Sequence, residues 1–287
     1  MLLLQIVING ILKGGLYALM ALGMSLIWGV MDIINIAHGS FIMLGAFTTY
    51  WLWHLMGLDP FFGLVASMVV LFVLGFLIQK YVINLVIRAS IFVTLILAFG
   101  IEIFINNAAL VAWTADVRKV QIPYAAANFS LGNAVTVPLI RLVAFVLAFV
   151  IALVLFYILN KTRLGRAIRA TSQDLDAARL CGVDVANTYA ITFGIGVAAA
   201  GAAGALWSLL FPVSPMMGGI LTLKSFVVTI IGGLGTMMGP VLGGLTLGVA
   251  EALGSNWFGA TYENLISFTI LVLVLIIRPK GILGKGS

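Results

Sequence analysis

The chain has 287 residues, of which 63% are hydrophobic and 8% charged, and its mean hydropathy is +1.22. A soluble domain is about 45–50% apolar and about 25% charged, so a soluble globular enzyme is excluded and the surplus apolar surface must face lipid or other buried helices. The net charge of +6 comes from 15 basic and 9 acidic residues, but the positives sit in short loops between apolar runs, which argues for membrane orientation and against nucleic-acid binding.

No linker or charge block divides residues 1–287, so they are expected to form one transmembrane domain. Lys13 follows an apolar start instead of preceding it, so no cleavable signal is expected. Cys181 stands alone, and His38 and His54 are the two histidines, so neither an internal disulfide nor a metal site is expected.

A helix needs about 20 apolar residues to cross the hydrocarbon core. In chain order the candidate spans are 5–30, 35–53, 61–79, 91–112, 139–160, 188–211, 221–235, 239–257 and 262–277, an all-α polytopic bundle of eight or nine crossings. Lys13 in the first span is expected to snorkel to one interface. At the start of the second span, His38 reads either as a hydrogen-bonded interfacial residue or as a ligand or gate group. Tyr50, Trp51, Trp53 and Trp257 fall near span ends and read as interfacial anchors.

Glu102 and Glu251 lie inside spans, where a carboxylate is costly; each is either functional or a hydrogen-bonded packing group, and neither has an assignable basic partner. The segment 221–235 is short, opens near Lys224 and ends in glycines, which marks a candidate half-helix. Gly232, Gly233, Gly235, Gly239 and Pro240 then interrupt the apolar run, and such a break is tolerated only beside protein or a water-filled cavity. It is expected to border a translocation path. Gly235, Gly239 and Gly243, with Gly244 and Gly248 on a neighbouring face, have the spacing of close helix packing.

Nine crossings put Lys80, Arg88, Lys161, Arg163, Arg166, Arg169, Arg179, Arg278, Lys280 and Lys285 on one side. The positive-inside rule makes that side cytoplasmic, with the N-terminus outside. Arg118, Lys119, Arg141 and Lys224 fall on the other.

Residues 161–186 form the longest polar stretch on the basic side. Leu164, Ile168, Thr171, Leu175 and Ala178 recur as one stripe, predicting one or two short amphipathic helices. Within it, Asp176-Ala177-Ala178 is followed by Gly182, where two alanines allow close approach of a partner and the glycine permits the reversal that ends a helix. The plain alternative is a surface helix on a basic loop.

The Asp176 to Gly182 pattern resembles the EAA motif of ABC-importer permeases, with Asp176 in place of glutamate and without the downstream Ile-x-Leu-Pro. In that family the segment is a coupling helix that docks in a cleft of the ATP-hydrolysing subunit. The resemblance makes Gly165, Arg166, Arg169, Asp176, Ala177, Ala178 and Gly182 the candidate coupling residues.

Tyr17-Ala18-Leu19, Asn35-Ile36-Ala37-His38-Gly39, Arg163 to Ala170, Gly232 to Gly235 with Gly239-Pro240, and Arg278-Pro279-Lys280-Gly281 follow in an order that resembles LivH-type permeases, from about residue 10 to residue 284. Those are membrane subunits of branched-chain amino acid ABC importers. The resemblance implies a related permease as heterodimer partner, two ATP-binding subunits that hold ATP-Mg, and a periplasmic binding protein, with no cofactor in this chain. No Gly-x-x-x-x-Gly-Lys-Ser/Thr occurs, so ATP hydrolysis belongs to a partner. Asn35 and His38 join the glycine break as candidate path residues.

The rival within transport is an ion-coupled secondary carrier using Glu102 or Glu251. A membrane-embedded enzyme would need convergent nucleophile, acid and base groups, for which two histidines and scattered glutamates make a poor set.

Overall fold

The computed structural model describes residues 2–87, 89–122, 127–131, 135–278 and 280–284. Arg88, Pro279 and Lys285, counted above among the basic and motif residues, lie outside them.

All nine candidate spans are helical: α1 (Leu2–Met31), α2 (His38–Met56), α3 (Pro60–Tyr81), α4 (Ile91–Trp113), α5 (Leu139–Lys161), α8 (Val185–Leu210), α9 (Gly218–Gly232), α10 (Gly239–Phe258) and α11 (Glu263–Ile277). Two short helices, α6 (Arg163–Gln173) and α7 (Leu175–Leu180), fill the polar stretch between α5 and α8. Local chemistry sets several boundaries. Gly57 ends α2 in a left-handed conformation, and Asp59 caps α3 by accepting from the Phe61 amide, with Pro60 at the first helical position.

Among the described residues seven helices, α1, α3, α4, α5, α8, α9 and α11, are long and apolar enough to cross a membrane, some with their flanking turns. The helices α2 and α10 fall short of that hydropathy because their positions go to glycine and polar residues. Their environment explains this: α2 is wrapped by α3, α8 and α9, and α10 lies along α1. Such helices meet neighbours more than lipid. α1, α8 and α9 are mostly buried, whereas α3, α4, α5 and α11 turn apolar side chains outward.

Glycines bring the inner helices into backbone contact. A methyl group at Gly14 of α1 would lie 2.7 Å from the Gly244 carbonyl oxygen of α10, and one at Gly10 would lie 2.8 Å from Val249 Cα. On the other face of α10, Gly239 and Gly243 pack against Gly232 and Val228 of α9. The predicted glycine spacing therefore serves packing at Gly239, Gly243, Gly244 and Gly248, while Gly235 lies before α10 begins. Gly14→Val is expected to lower stability by about 1–3 kcal/mol, the usual cost of overpacking. Gly100→Ala is the control in the same thermal melt, because nothing stands within 4 Å of a side chain there, and it should leave the melting temperature unchanged or slightly higher.

One element has no counterpart among the predicted helices. β1 (Asn128–Leu131) and β2 (Val135–Pro138) form an antiparallel hairpin with Phe129 opposite Val137. Its edge is closed by Gln5 of α1, whose amide donates to the Thr136 carbonyl at 2.7 Å and accepts from the Thr136 amide at 3.0 Å. The β-branched run Val135-Thr136-Val137 was the available signal. At this end of the bundle Arg118 pairs its backbone with Val213, and its guanidinium sits 4.8 Å from the Trp51 ring centre and 5.6 Å from that of Tyr50. Tyr50 is buried beneath that cation, whereas Trp257 projects freely.

Candidate coupling and translocation sites

The segment 161–186 folds as two capped helices. Thr162 caps α6 by accepting from the Gly165 amide, and Asp174 caps α7 by accepting from the amides of Asp176 and Ala177, each at 2.9 Å. The expected termination at Gly182 holds: its φ is +81°, its amide donates to the Arg179 carbonyl and the Val183 amide to that of Ala178, the paired bonds of a Schellman motif. Ile168, Thr171 and Ala178 of the predicted stripe are buried, but Leu175 is exposed. The reason is the extended backbone of Asp174, which restarts the helix and shifts its phase.

This geometry sorts the candidate coupling residues. Gly165 packs on the Leu159 carbonyl, Arg169 donates to that same carbonyl, and Ala178 faces the bundle. Of the alanine pair expected to meet a partner, only Ala177 is exposed. Arg166, Asp176, Ala177 and Gly182 form the outward surface, together with Leu180 at 91% exposure and Cys181. Leu180 and Cys181 were missed, since α7 is too short for its phase to be read from the sequence. A polar cavity of about 790 Å³ separates α6 and α7 from the ends of α1 and α8 and is lined by Asp32, Asn84, Asp174, Arg179 and Tyr189 among others.

The glycine break lies at this same end. Gly233 and Gly235 take φ of +108° and +72°, and Gly235 approaches Gly29 of α1. The last carbonyls of α9 are not left open, for the Ile282 amide donates to the Ile231 carbonyl at 2.8 Å and the Leu283 amide to that of Gly232 at 3.1 Å. Gly281 permits that clasp with φ +77°. Two motifs far apart in the sequence thus form one joint. A cavity of about 330 Å³ connects it to α6, with Arg169, Ser172 and Gln173 on one wall and Ser25, Gly235 and Thr236 on the other.

Asn35 and His38 lie elsewhere, inside the bundle. After Met31 the chain turns at Asp32, whose φ is +52°, and doubles back so that His38 Nε2 is 2.8 Å from the Met20 carbonyl, about three turns up α1. His38 is fully buried among packed helices, hydrogen-bonded as one of its two readings had it; the returning segment 32–37 carries it there. Asn35 Nδ2 and His38 Nδ1 make no hydrogen bond among the described residues. Beside them runs the first turn of α9, which with its preceding turn is long and apolar enough to cross a membrane and so is not shortened to a half-helix. The Gly39 amide donates to Thr222 Oγ1 at 2.8 Å, and Ser40 Oγ donates to Asn106 Oδ1 of α4 at 2.8 Å.

The structure revises the membrane charges most. Lys13 and Lys224, read separately from the sequence, share one charge cluster. Lys224, only 6% exposed, sits 2.9 Å from Glu251 Oε1 and 2.8 Å from Glu263 Oε1, and Lys13 pairs with Glu251 Oε2 at 3.1 Å and with Glu263. Tyr17 donates to Glu251 Oε2 at 2.7 Å and accepts from Lys224 at 2.9 Å. Two cations and two carboxylates from α1, α9, α10 and α11 neutralise one another, which offsets the cost of burying each charge. Glu251, fully buried, has two basic partners where none was assignable from the sequence, and Glu263 is a member that the sequence did not single out. Glu102 stands apart: among the described residues no hydrogen bond or ion pair engages it.

A profile of the family described as "Branched-chain amino acid transport system / permease component" matches residues 6–275. The chain is 36% identical to the high-affinity branched-chain amino acid transport system permease protein BraD of Pseudomonas aeruginosa, over 98% of this chain and 96% of that protein. It is 33% identical to the permease protein LivH of Escherichia coli K12, over 98% and 96%, and 25% identical to the permease protein LivM of that organism, over 93% and 68%. No solved structure matches the chain.

Proposed function

The chain belongs to the family of branched-chain amino acid transport system permease components, and we propose on that premise that α6 and α7 are the elements through which it receives the work of ATP hydrolysis. It is a multi-pass inner-membrane subunit of an ABC-type branched-chain amino acid importer, a transport component and not an enzyme. Family members work with ATP-binding and substrate-binding subunits.

The finer assignments are our own reading. Nine crossings, α2 and α10 included, put α6, α7 and the tail 280–284 in the cytoplasm. There Arg166, Asp176, Ala177, Leu180 and Gly182 face a cleft of an ATP-binding subunit, while Gly165, Arg169 and Ala178 fasten the pair to the bundle. One such subunit serves each permease, the second permease is a related chain, and the likeness to both LivH and LivM supports that heterodimer. Substrate arrives from a periplasmic binding protein and passes the level of Asn35 and His38. It leaves beside the joint of Gly232, Gly233, Gly235, Gly239 and Pro240. ATP-driven closure of the partner dimer shifts α6, and the cavity shared by Arg169 and Gly235 is where that shift reaches the joint.

The whole-length likeness to BraD and LivH carries this reading. Its test is uptake of labelled leucine by proteoliposomes holding this chain with the related permease, the ATP-binding subunits and the binding protein. Uptake is expected only with ATP inside and all partners present. Uptake by this chain alone, driven by an ion gradient, would establish the secondary-carrier alternative.

A further inference from the structure

We propose that Glu102 supplies the counter-charge for the ammonium group of the translocated amino acid. The inference rests on the permease reading above.

Three glutamates bear on the membrane helices α4, α10 and α11. Glu251 and Glu263 share Lys13 and Lys224. Glu102, the twelfth of 23 residues in α4 and so at its midpoint, has no cation among the described residues. The outward surface of α4 is largely apolar, with Phe92, Ile96, Phe99, Ile103 and Phe104 between 46% and 78% exposed; the exposed Asn107 turns its amide onto the Ile103 carbonyl. A carboxylate at that depth faces a water-filled cavity or a partner charge, because hydrocarbon offers neither hydrogen bonds nor a cation.

The surroundings of Glu102 favour a passing ligand. Its Oε1 lies 3.8 Å from where a side chain at Gly219 would begin, and no nearer atom meets that position. Gly218 and Gly219 open α9 without side chains, so the carboxylate looks onto bare backbone and open space. One turn along α4, Asn106 already has a donor in Ser40, whereas Glu102 has no hydrogen bond or ion pair among the described residues. A branched-chain amino acid carries one positive group on an otherwise apolar and anionic body. A lone carboxylate on an apolar wall holds the ammonium while the side chain slides on hydrocarbon, and a single contact lets the substrate leave.

The test uses the complete transporter with Glu102→Gln and Glu102→Asp. Losing a charged hydrogen-bond partner is expected to reduce leucine uptake about 10–100-fold in the Gln variant, with Asp retaining most of it. Co-purification with the related permease and ATP-binding subunits should be unchanged in both. In a Cys181→Ser background, Glu102→Cys should react with a membrane-impermeant cationic methanethiosulfonate. Wild-type uptake by the Gln variant, an unreactive Glu102→Cys, or loss of the related permease from the Gln complex would each overturn the proposal, the last by making Glu102 a subunit contact. Absence of ATP-dependent uptake in the wild type would instead overturn the permease reading.

Discussion

Lys224→Met is expected to destabilise the folded protein by about 3–5 kcal/mol, the range for breaking a buried ion pair from one side. Methionine keeps the length and apolar stem of lysine, so the loss isolates the charge. With Lys224 gone, Glu251 and Glu263 must share Lys13, and Glu251 is fully buried. The double variant Lys224→Met with Glu251→Gln removes one charge of each sign and leaves the Lys13–Glu263 pair, so it should melt above the single variant. Thermal melts in detergent, followed by size exclusion, separate the two. If single and double variants melt together, the four charges are not coupled. Lys13→Met should cost less, because Lys13 keeps 21% side-chain exposure against 8% for Lys224 and so is less desolvated by its protein neighbours.

Ala177→Trp and Ala178→Trp are expected to fail in different ways although the residues adjoin. Ala177 projects from α7 beside Leu180, so an indole there leaves the bundle intact and obstructs the proposed docking cleft. Association with the ATP-binding subunit should fall about 10–100-fold, the effect of a central interface residue. Ala178 is 3% exposed against the bundle, and a tryptophan there displaces α7 with an overpacking cost of about 1–3 kcal/mol. Pull-down reads the first variant and thermal melting the second. Full association by Ala177→Trp would remove α7 from the docking surface.

The sequence located helices well where apolar runs had polar ends, as in 139–160 against Leu139–Lys161 and 239–257 against Gly239–Phe258. It located α2 less well. The span expected at 35 begins at His38, because segment 32–37, though rich in isoleucine, is a non-helical reversal that ends in a turn at Ile36 and Ala37, and hydropathy does not distinguish such chain inside a bundle from helix. The single stripe drawn through Leu175 missed the break at Asp174, where a capping carboxylate competes with helix continuation. The charge cluster was not legible at all. Lys13, Lys224, Glu251 and Glu263 are neighbours only after four helices pack, and no local pattern announces them. For the coupling segment, the residue types were readable but their inward and outward sides were not.

The charge cluster also constrains the order in which the protein can be completed. Lys13 leaves the ribosome with the first helix, whereas its partners Glu251 and Glu263 belong to the last two. During the intervening synthesis α1 carries an unbalanced lysine, which costs about 2.5–3.5 kcal/mol if it is held at the bilayer centre. The nascent first helix is therefore expected to ride displaced toward an interface, and to settle to its final depth only when the closing hairpin of α10 and α11 brings the opposite charges.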